Sequence, residues 1–186
     1  MTPHRTRNRI AGALFAALMP ICATVSGCTS PAHLRLTQDD RVHLETPAPN
    51  STVRVPFTVK WTAKDFTTAD PRIGTDNTNR PVLPDQGYFA VFVDKEPMAP
   101  GESFQSLLPA GSSCAKNPTC PDMSTLRNLG VLVTDTTSVT VDAVSSGKGV
   151  GGAGSATHAV TIVLVDARGQ RIGDSNWYTS FTVQGR

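Results

Sequence analysis

Short apolar segments recur along this chain, and their two-residue period constrains the fold more than any other feature. In the clearest segment, Phe57, Val59 and Trp61 alternate with polar residues, which is typical of a strand with one buried face. Residues 88–93 are apolar on both faces, so we expect them at the centre of a sheet. Other strands are predicted at residues 42–44, 53–55, 131–133, 139–141, 158–165 and 177–183. Short strands separated by glycine, proline and asparagine predict an all-β antiparallel sandwich.

Three segments carry a resemblance to a known class of domain. They are Thr46-Pro47, the run from Pro56 to Trp61, and the run from Thr157 to Asp166 followed by Gly169. With these segments, residues 41–186 resemble the immunoglobulin and fibronectin type III-like domains of bacterial envelope proteins. The resemblance implies a single immunoglobulin-like antiparallel β-sandwich of about seven strands with long loops. Trp61 matches the tryptophan of the second strand, whereas His158 stands where such domains often carry a tyrosine.

The N-terminal segment has the charge and hydropathy pattern of an exported protein. Arg5, Arg7 and Arg9 precede the apolar residues 10–25, and the segment ends at Val25-Ser26-Gly27-Cys28. This order is that of a secretory signal, and the last four residues resemble a bacterial lipobox. The resemblance implies that residues 1–27 are a signal peptide and that Cys28 carries lipid such as palmitate. The protein would then be anchored on the extracytoplasmic side of the cell membrane. An uncleaved anchor and an ordinary secretory signal remain alternatives.

The segment after Cys28 and the charge of the chain limit the expected partners. Residues 28–40 are small, polar and aperiodic, and a flexible tether of this length has a reach of about 20 Å. Removing residues 1–27 takes away three arginines and no acid, so the formal charge changes from +2 to about −1. A strongly basic face is therefore not expected, and neither is a nucleic-acid partner.

Two of the four cysteines are expected to form a disulfide. Cys22 lies within the signal peptide and Cys28 would carry lipid, which leaves Cys114 and Cys120. Outside the cytoplasm two neighbouring thiols are normally oxidised, and the intervening Asn-Pro loop can bring their Cα atoms within disulfide range. The alternative is a metal site, although two cysteines without a second pair of ligands make a poor zinc motif.

Loops at the ends of the predicted sandwich contain the candidate metal ligands. The long loop of residues 64–87 and the turn after residue 166 lie at one end of an immunoglobulin-like sandwich. Carboxylates that converge there could bind Ca²⁺. The candidates are Asp70, Asp76, Asp85 and Asp166. In the alternative interpretation, neighbouring arginines pair with these carboxylates. For copper, the candidate ligands are His43 and His158 with Met98 or Met123.

The opposite end of the sandwich is the predicted binding surface. Residues 94–101 lead into the segment with the two cysteines, and the glycine-rich residues 145–155 are expected to face it. Long loops on a rigid scaffold are where binding usually resides. The candidate binding residues are Asp94, Lys95, Glu96, Met98, Lys116 and Lys148.

Catalytic motifs are not recognisable in the sequence, which has neither a Gly-x-Ser-x-Gly elbow nor a His-Glu-x-x-His pair. We therefore expect no catalytic residues and no cofactor. The predicted function is that of a non-catalytic, lipid-anchored module that binds an envelope protein or a cell-wall polymer. The alternative is a lipoprotein that binds a small ligand or a metal ion, Ca²⁺ or Cu²⁺.

Overall fold

Nine β-strands and one short helix form the described part of the protein. The structure, a computed structural model, describes residues 38–117, 119–144 and 157–184. The strands are β1 (Val42–Thr46), β2 (Thr52–Val53), β3 (Phe57–Ala63), β4 (Thr67–Thr68), β5 (Gln86–Val93), β6 (Val131–Thr134), β7 (Ser138–Val141), β8 (Thr157–Asp166) and β9 (Trp177–Val183). The helix is α1 (Met123–Asn128), and 3-10 turns occupy Phe104–Leu107 and Ser113–Lys116.

The strands form two packed sheets. The first sheet has the order β1-β3-β7, and the second has the order β2-β9-β8-β5, with β4 and β6 both paired to β5. The described chain is nearly all β and its two sheets pack together, so the predicted all-β sandwich is confirmed. Two pairings, β2 with β9 and β4 with β5, are parallel, although the sequence predicted only antiparallel ones. The chain leaves the first sheet after Thr46 and joins the edge of the second at Thr52, so the short strand β2 runs parallel to β9.

Trp61 lies at the centre of the core between the two sheets. Its side chain is fully buried, as the strand alternation predicted, and its ring meets that of Phe89 edge to face at 5.2 Å. Val59, Ile162 and Phe181 belong to the same cluster. Along β3 the buried and exposed residues alternate without interruption, which is why this strand was readable from its sequence.

A second apolar cluster covers the outer face of the second sheet. Residues 94–130, which connect β5 to β6, cross this face and contribute Met98, Phe104 and Leu126 to it. These side chains pack on Tyr88 and Phe92 of β5. Strand β5 is therefore buried on both faces, as predicted, because a sheet covers one face and a long connection covers the other.

None of the helices in the described ranges is long and apolar enough to cross a membrane. The predicted signal peptide, Cys28 and most of the predicted tether lie outside the described residues.

Candidate ligand-binding cleft

Three connections meet at one end of the sandwich and are held together by arginine side chains. They are loop 64–85 between β3 and β5, turn 167–176 between β8 and β9, and connection 94–130. Arg80 donates to the carbonyl oxygens of Asp70 and Ala167 at 3.0 Å each, which joins loop 64–85 to turn 167–176. Arg171 donates to the carbonyl oxygen of Met98 at 2.6 Å, which joins the same turn to connection 94–130. Burial lowers the pKa of Arg171, with Asp174 and Asp39 acting in the opposite direction.

The position of connection 94–130 corrects the sequence prediction, which placed it at the other end from loop 64–85. In the structure, Ser103 forms a β-bridge with Gln170, and Gly74 lies against Asp122. The connection is long enough to run back along the outer face of the second sheet, where its apolar residues Phe104 and Leu126 are buried. Its disulfide segment is therefore brought to the end of the sandwich where loop 64–85 and turn 167–176 lie.

The Cys114–Cys120 disulfide is present, with the two Cα atoms 5.4 Å apart, and the prediction is confirmed. Its loop is tied locally: Ser112 Oγ accepts from the backbone N–H of Cys114 at 3.2 Å, and Asn117 Oδ1 accepts from that of Thr119 at 3.0 Å. Cys120 lines one wall of a cleft between the three connections.

This cleft has a volume of about 340 Å³. Its walls carry hydroxyl and amide side chains, those of Thr75, Asn77, Gln105 and Gln170 among them. Of the described residues that line it, Arg168 alone carries a charged side chain. The lining is therefore about equally polar and apolar, with a single positive charge and no carboxylate among the described residues.

Tyr88 forms the floor of the cleft. The residue is fully buried, and its hydroxyl has no hydrogen-bond partner among the described residues. Burial raises the pKa of Tyr88 well above its usual value; Asp166 adds to the increase and Arg80 opposes it. The hydroxyl therefore stays protonated as a donor. An unpaired buried polar group costs about 1–3 kcal/mol, and this hydroxyl has almost no surface accessible from the cleft.

Gly169 is buried and lies close to the Tyr88 hydroxyl. Its φ of +88° lies in the region that favours glycine, and a Cβ there would lie 3.4 Å from the hydroxyl oxygen and 3.5 Å from Phe104 Cδ2. Phe104 lies nearly parallel to the Tyr88 ring, with centroids 6.3 Å apart. The two rings beneath the cleft are therefore buried and support its floor by packing.

Arg168 is held in place by its backbone and by one side-chain nitrogen. Its Nε donates to the carbonyl oxygen of Arg80 at 2.8 Å. Asp166 Oδ1 accepts from the backbone N–H groups of Arg168 and Gln170, at 2.8 and 3.0 Å, which fixes the turn. The two terminal nitrogens of Arg168 have no acceptor, and no carboxylate lies within salt-bridge distance, in the part of the chain that the structure describes.

The four carboxylates proposed as calcium ligands are not brought together. Each carboxylate has a different partner. Asp70 accepts from Arg72, Asp76 accepts from Thr78, and Asp85 lies 4.0 Å from Arg41. Asp166 accepts from backbone N–H groups of turn 167–176. Within residues 38–117, 119–144 and 157–184, no three His, Cys, Asp or Glu side chains are grouped closely enough to hold a metal ion. The alternative interpretation, in which arginines pair with these carboxylates, is confirmed for Asp70, whose Oδ2 lies 3.3 Å from Arg72 Nε.

The residues proposed as copper ligands have other contacts. His43 packs edge-on against Trp177 with ring centroids 5.1 Å apart. Met98 is buried in the apolar cluster on the outer face of the second sheet. His158 Nδ1 lies 2.7 Å from Asp94 Oδ2. Met123 is exposed at the start of α1.

The predicted binding surface divides between buried and exposed positions. Met98 is 1% exposed and Asp94 has a buried carboxylate, so these two assignments are wrong. Asp94 bonds to His158 and to the backbone N–H of Ala159, which ties the end of β5 to the start of β8. Lys95 is half-buried and Glu96 is exposed. Lys148 and the side chain of Lys116 lie outside the described residues.

The sequence analysis missed the cleft and its floor. Alternation along β5 places Tyr88 on the face opposite Phe89, which was a usable signal for an outward-facing aromatic residue. That signal alone could not show that connection 94–130 would return to cover this face.

No protein-family model matches the chain, and comparisons with curated proteins and with solved structures found no significant match.

Proposed function

We propose that the protein is a lipid-anchored, extracytoplasmic binding module that holds an envelope polymer or a protein partner in this cleft and does not catalyse a reaction. The observation that carries the proposal is the guanidinium of Arg168, whose terminal nitrogens have no acceptor among the described residues and which lines a cleft walled by hydroxyl and amide side chains. The volume of the cleft falls in the lower part of the range of ligand pockets, roughly 300–1,000 Å³.

The chemistry of the lining favours binding over catalysis. Threonine hydroxyls, asparagine and glutamine amides and a guanidinium keep their protonation states near neutral pH. Such groups orient a ligand through hydrogen bonds but are poorly suited to transferring protons. The disulfide and the arginine bonds between connections hold the walls in place, which reduces the ordering cost of binding.

The way the chain enters the domain bears on where a ligand would come from. Gln38 forms a bridge with Asn176, and the backbone N–H of Asp39 donates to the carbonyl oxygen of Asn176 at 3.0 Å, so the first described residues lie beside turn 167–176. Gln38 lies ten positions after Cys28 in the sequence, a spacing that spans at most about 35 Å. A lipid on Cys28 would keep the cleft end of the sandwich near the membrane surface.

Replacing Cys28 with serine should move the protein from the membrane fraction to the soluble fraction, because serine offers no thiol for the lipid. The measurement is cell fractionation with a high-salt wash and immunodetection. Cys22→Ser is the matched control and should leave the protein in the membrane, since Cys22 lies before the cleavage point. Retention of Cys28→Ser after the salt wash would instead indicate an uncleaved membrane anchor.

A photocrosslinking amino acid at Gln105 should capture an envelope component in living cells, because this exposed residue lies on the rim of the cleft. The control position is Lys60, which is exposed on the first sheet. Mass spectrometry and glycan analysis would identify the captured material. Equal capture at both positions, or none at Gln105, would contradict binding at the cleft.

A further inference from the structure

We infer that the ligand of the cleft is a saccharide unit bearing one carboxylate, an inference that rests on the binding function proposed above. Its support is the combination of one unpaired guanidinium with walls of hydroxyl and amide groups. Each of these features selects for a different part of such a ligand.

The guanidinium of Arg168 selects for a negative group. Because Nε is bonded to Arg80, the two terminal nitrogens remain for a ligand, and two parallel N–H donors match the geometry of a carboxylate. The cleft lining has no carboxylate that would compete for them. A negative group of a ligand at this wall could therefore bind the Arg168 guanidinium, which has no carboxylate partner among the described residues.

The rim of the cleft limits the ligand to a low negative charge. Asp76 lies between the lining residues Thr75 and Asn77, and the Cβ of Asp122 is 3.5 Å from the position a Cβ would take on Gly74. Hydrogen bonds from Thr78 lower the pKa of Asp76, and hydrogen bonds from Thr125 lower that of Asp122. Both rim carboxylates therefore stay ionised, and they disfavour a multiply charged ligand while tolerating a monoanion.

The walls of the cleft suit a ring rich in hydroxyl and amide groups. The side-chain amide of Gln170 has no partner among the described residues, and that of Gln105 has only a 3.5 Å contact with the carbonyl oxygen of Asn117. Such amides both donate and accept, as sugar hydroxyls and acetamido groups do.

Two sugars that differ in one group provide the test. N-acetylmuramic acid and N-acetylglucosamine share their ring and acetamido group, and the first also has a lactyl carboxylate. Each would be titrated into the isotope-labelled, full-length lipidated protein in detergent micelles, with backbone amide shifts as the readout. The acidic sugar should shift the amides of Gly169 and Gln170 and bind about tenfold more tightly, since a hydrogen bond to a charged group supplies that much.

Arg168→Gln should abolish the difference between the two sugars while leaving the weaker binding of the neutral one. Arg54→Gln is the control, because Arg54 is exposed, bonds to Gln184 and does not line the cleft. Tyr88→Phe should leave the binding of both sugars unchanged and the thermal midpoint of the free protein unchanged or higher, because it deletes only a buried, unpartnered hydroxyl that the sugars do not reach.

The inference is overturned if neither sugar binds, if both bind equally, or if the shifts lie away from the cleft. Equal effects of Arg168→Gln and Arg54→Gln would also overturn it. Absence of sugar binding together with capture at Gln105 and not at Lys60 would leave the proposed binding function standing. Failure of both experiments would remove the function and the inference together.

Discussion

Trp61→Ala is expected to lower the free energy of unfolding by about 3–5 kcal/mol, the usual cost of emptying the site of a large buried aromatic residue. The indole is fully buried between the two sheets and contacts Phe89 at 5.2 Å. Both sheets would line the resulting cavity, and neither can move into it without losing contacts of its own. Urea denaturation followed by circular dichroism would measure the change.

Two further variants make the result specific. Thr62→Ala, at the exposed neighbouring position of β3, should change the free energy of unfolding by less than about 0.5 kcal/mol. Trp61→Phe should cost less than Trp61→Ala, because a ring remains and the indole N–H, which has no partner among the described residues, is removed. A loss below about 1 kcal/mol for Trp61→Ala would contradict the central position of this residue.

Asp94→Ala is expected to be comparably destabilising, by about 3–5 kcal/mol, because it leaves two buried groups without a partner. The carboxylate lies 2.7 Å from His158 Nδ1 and accepts from the backbone N–H of Ala159 at 2.9 Å. Asp94 also has a φ of +53°, a left-handed conformation that alanine adopts less readily than aspartate or asparagine. The measurement is again equilibrium unfolding in urea.

Asp94→Asn separates the hydrogen bonds from the bulk of the side chain. The amide can accept from Ala159 and donate to an unprotonated His158 nitrogen, and asparagine tolerates the left-handed backbone. We therefore expect it to lose clearly less stability than Asp94→Ala. Asp135→Ala, at an exposed position, serves as the control and should be nearly neutral. Equal losses for the alanine and asparagine variants at Asp94 would show that the hydrogen bonds contribute little.

The strands were predictable because their signal is local. Along β3 the two-residue alternation indicates which side chains face the core, and Phe57, Val59 and Trp61 are buried in the structure as this alternation predicts. The disulfide was predictable for a similar reason, since a separation of six residues already brings the two cysteines close. The parallel pairing of β2 was not predictable, because no local pattern shows that the chain changes sheets after Thr46.

The candidate site was only partly predictable, because its groups meet through long-range contacts. The sequence predicted that loop 64–85 and the turn after β8 lie at the same end of the sandwich. In the structure, hydrogen bonds from Arg80 and Arg168 join them there. It placed connection 94–130 at the other end, and it assigned Asp94 to an exposed surface. Hydrophobic burial of Phe104 on the outer sheet face reverses the first assignment, and a bond to His158, 64 residues away, reverses the second.

Residue order thus specifies the strands, their buried faces and the disulfide, because alternation and short separation act between neighbours in the chain. Tertiary structure alone decides which face connection 94–130 covers, that Asp94 meets His158, and that Tyr88 ends as an unpaired donor beneath Gly169. Each of these outcomes depends on which distant apolar surfaces pack together, and the polar groups between them are then left paired or unpaired by the packing.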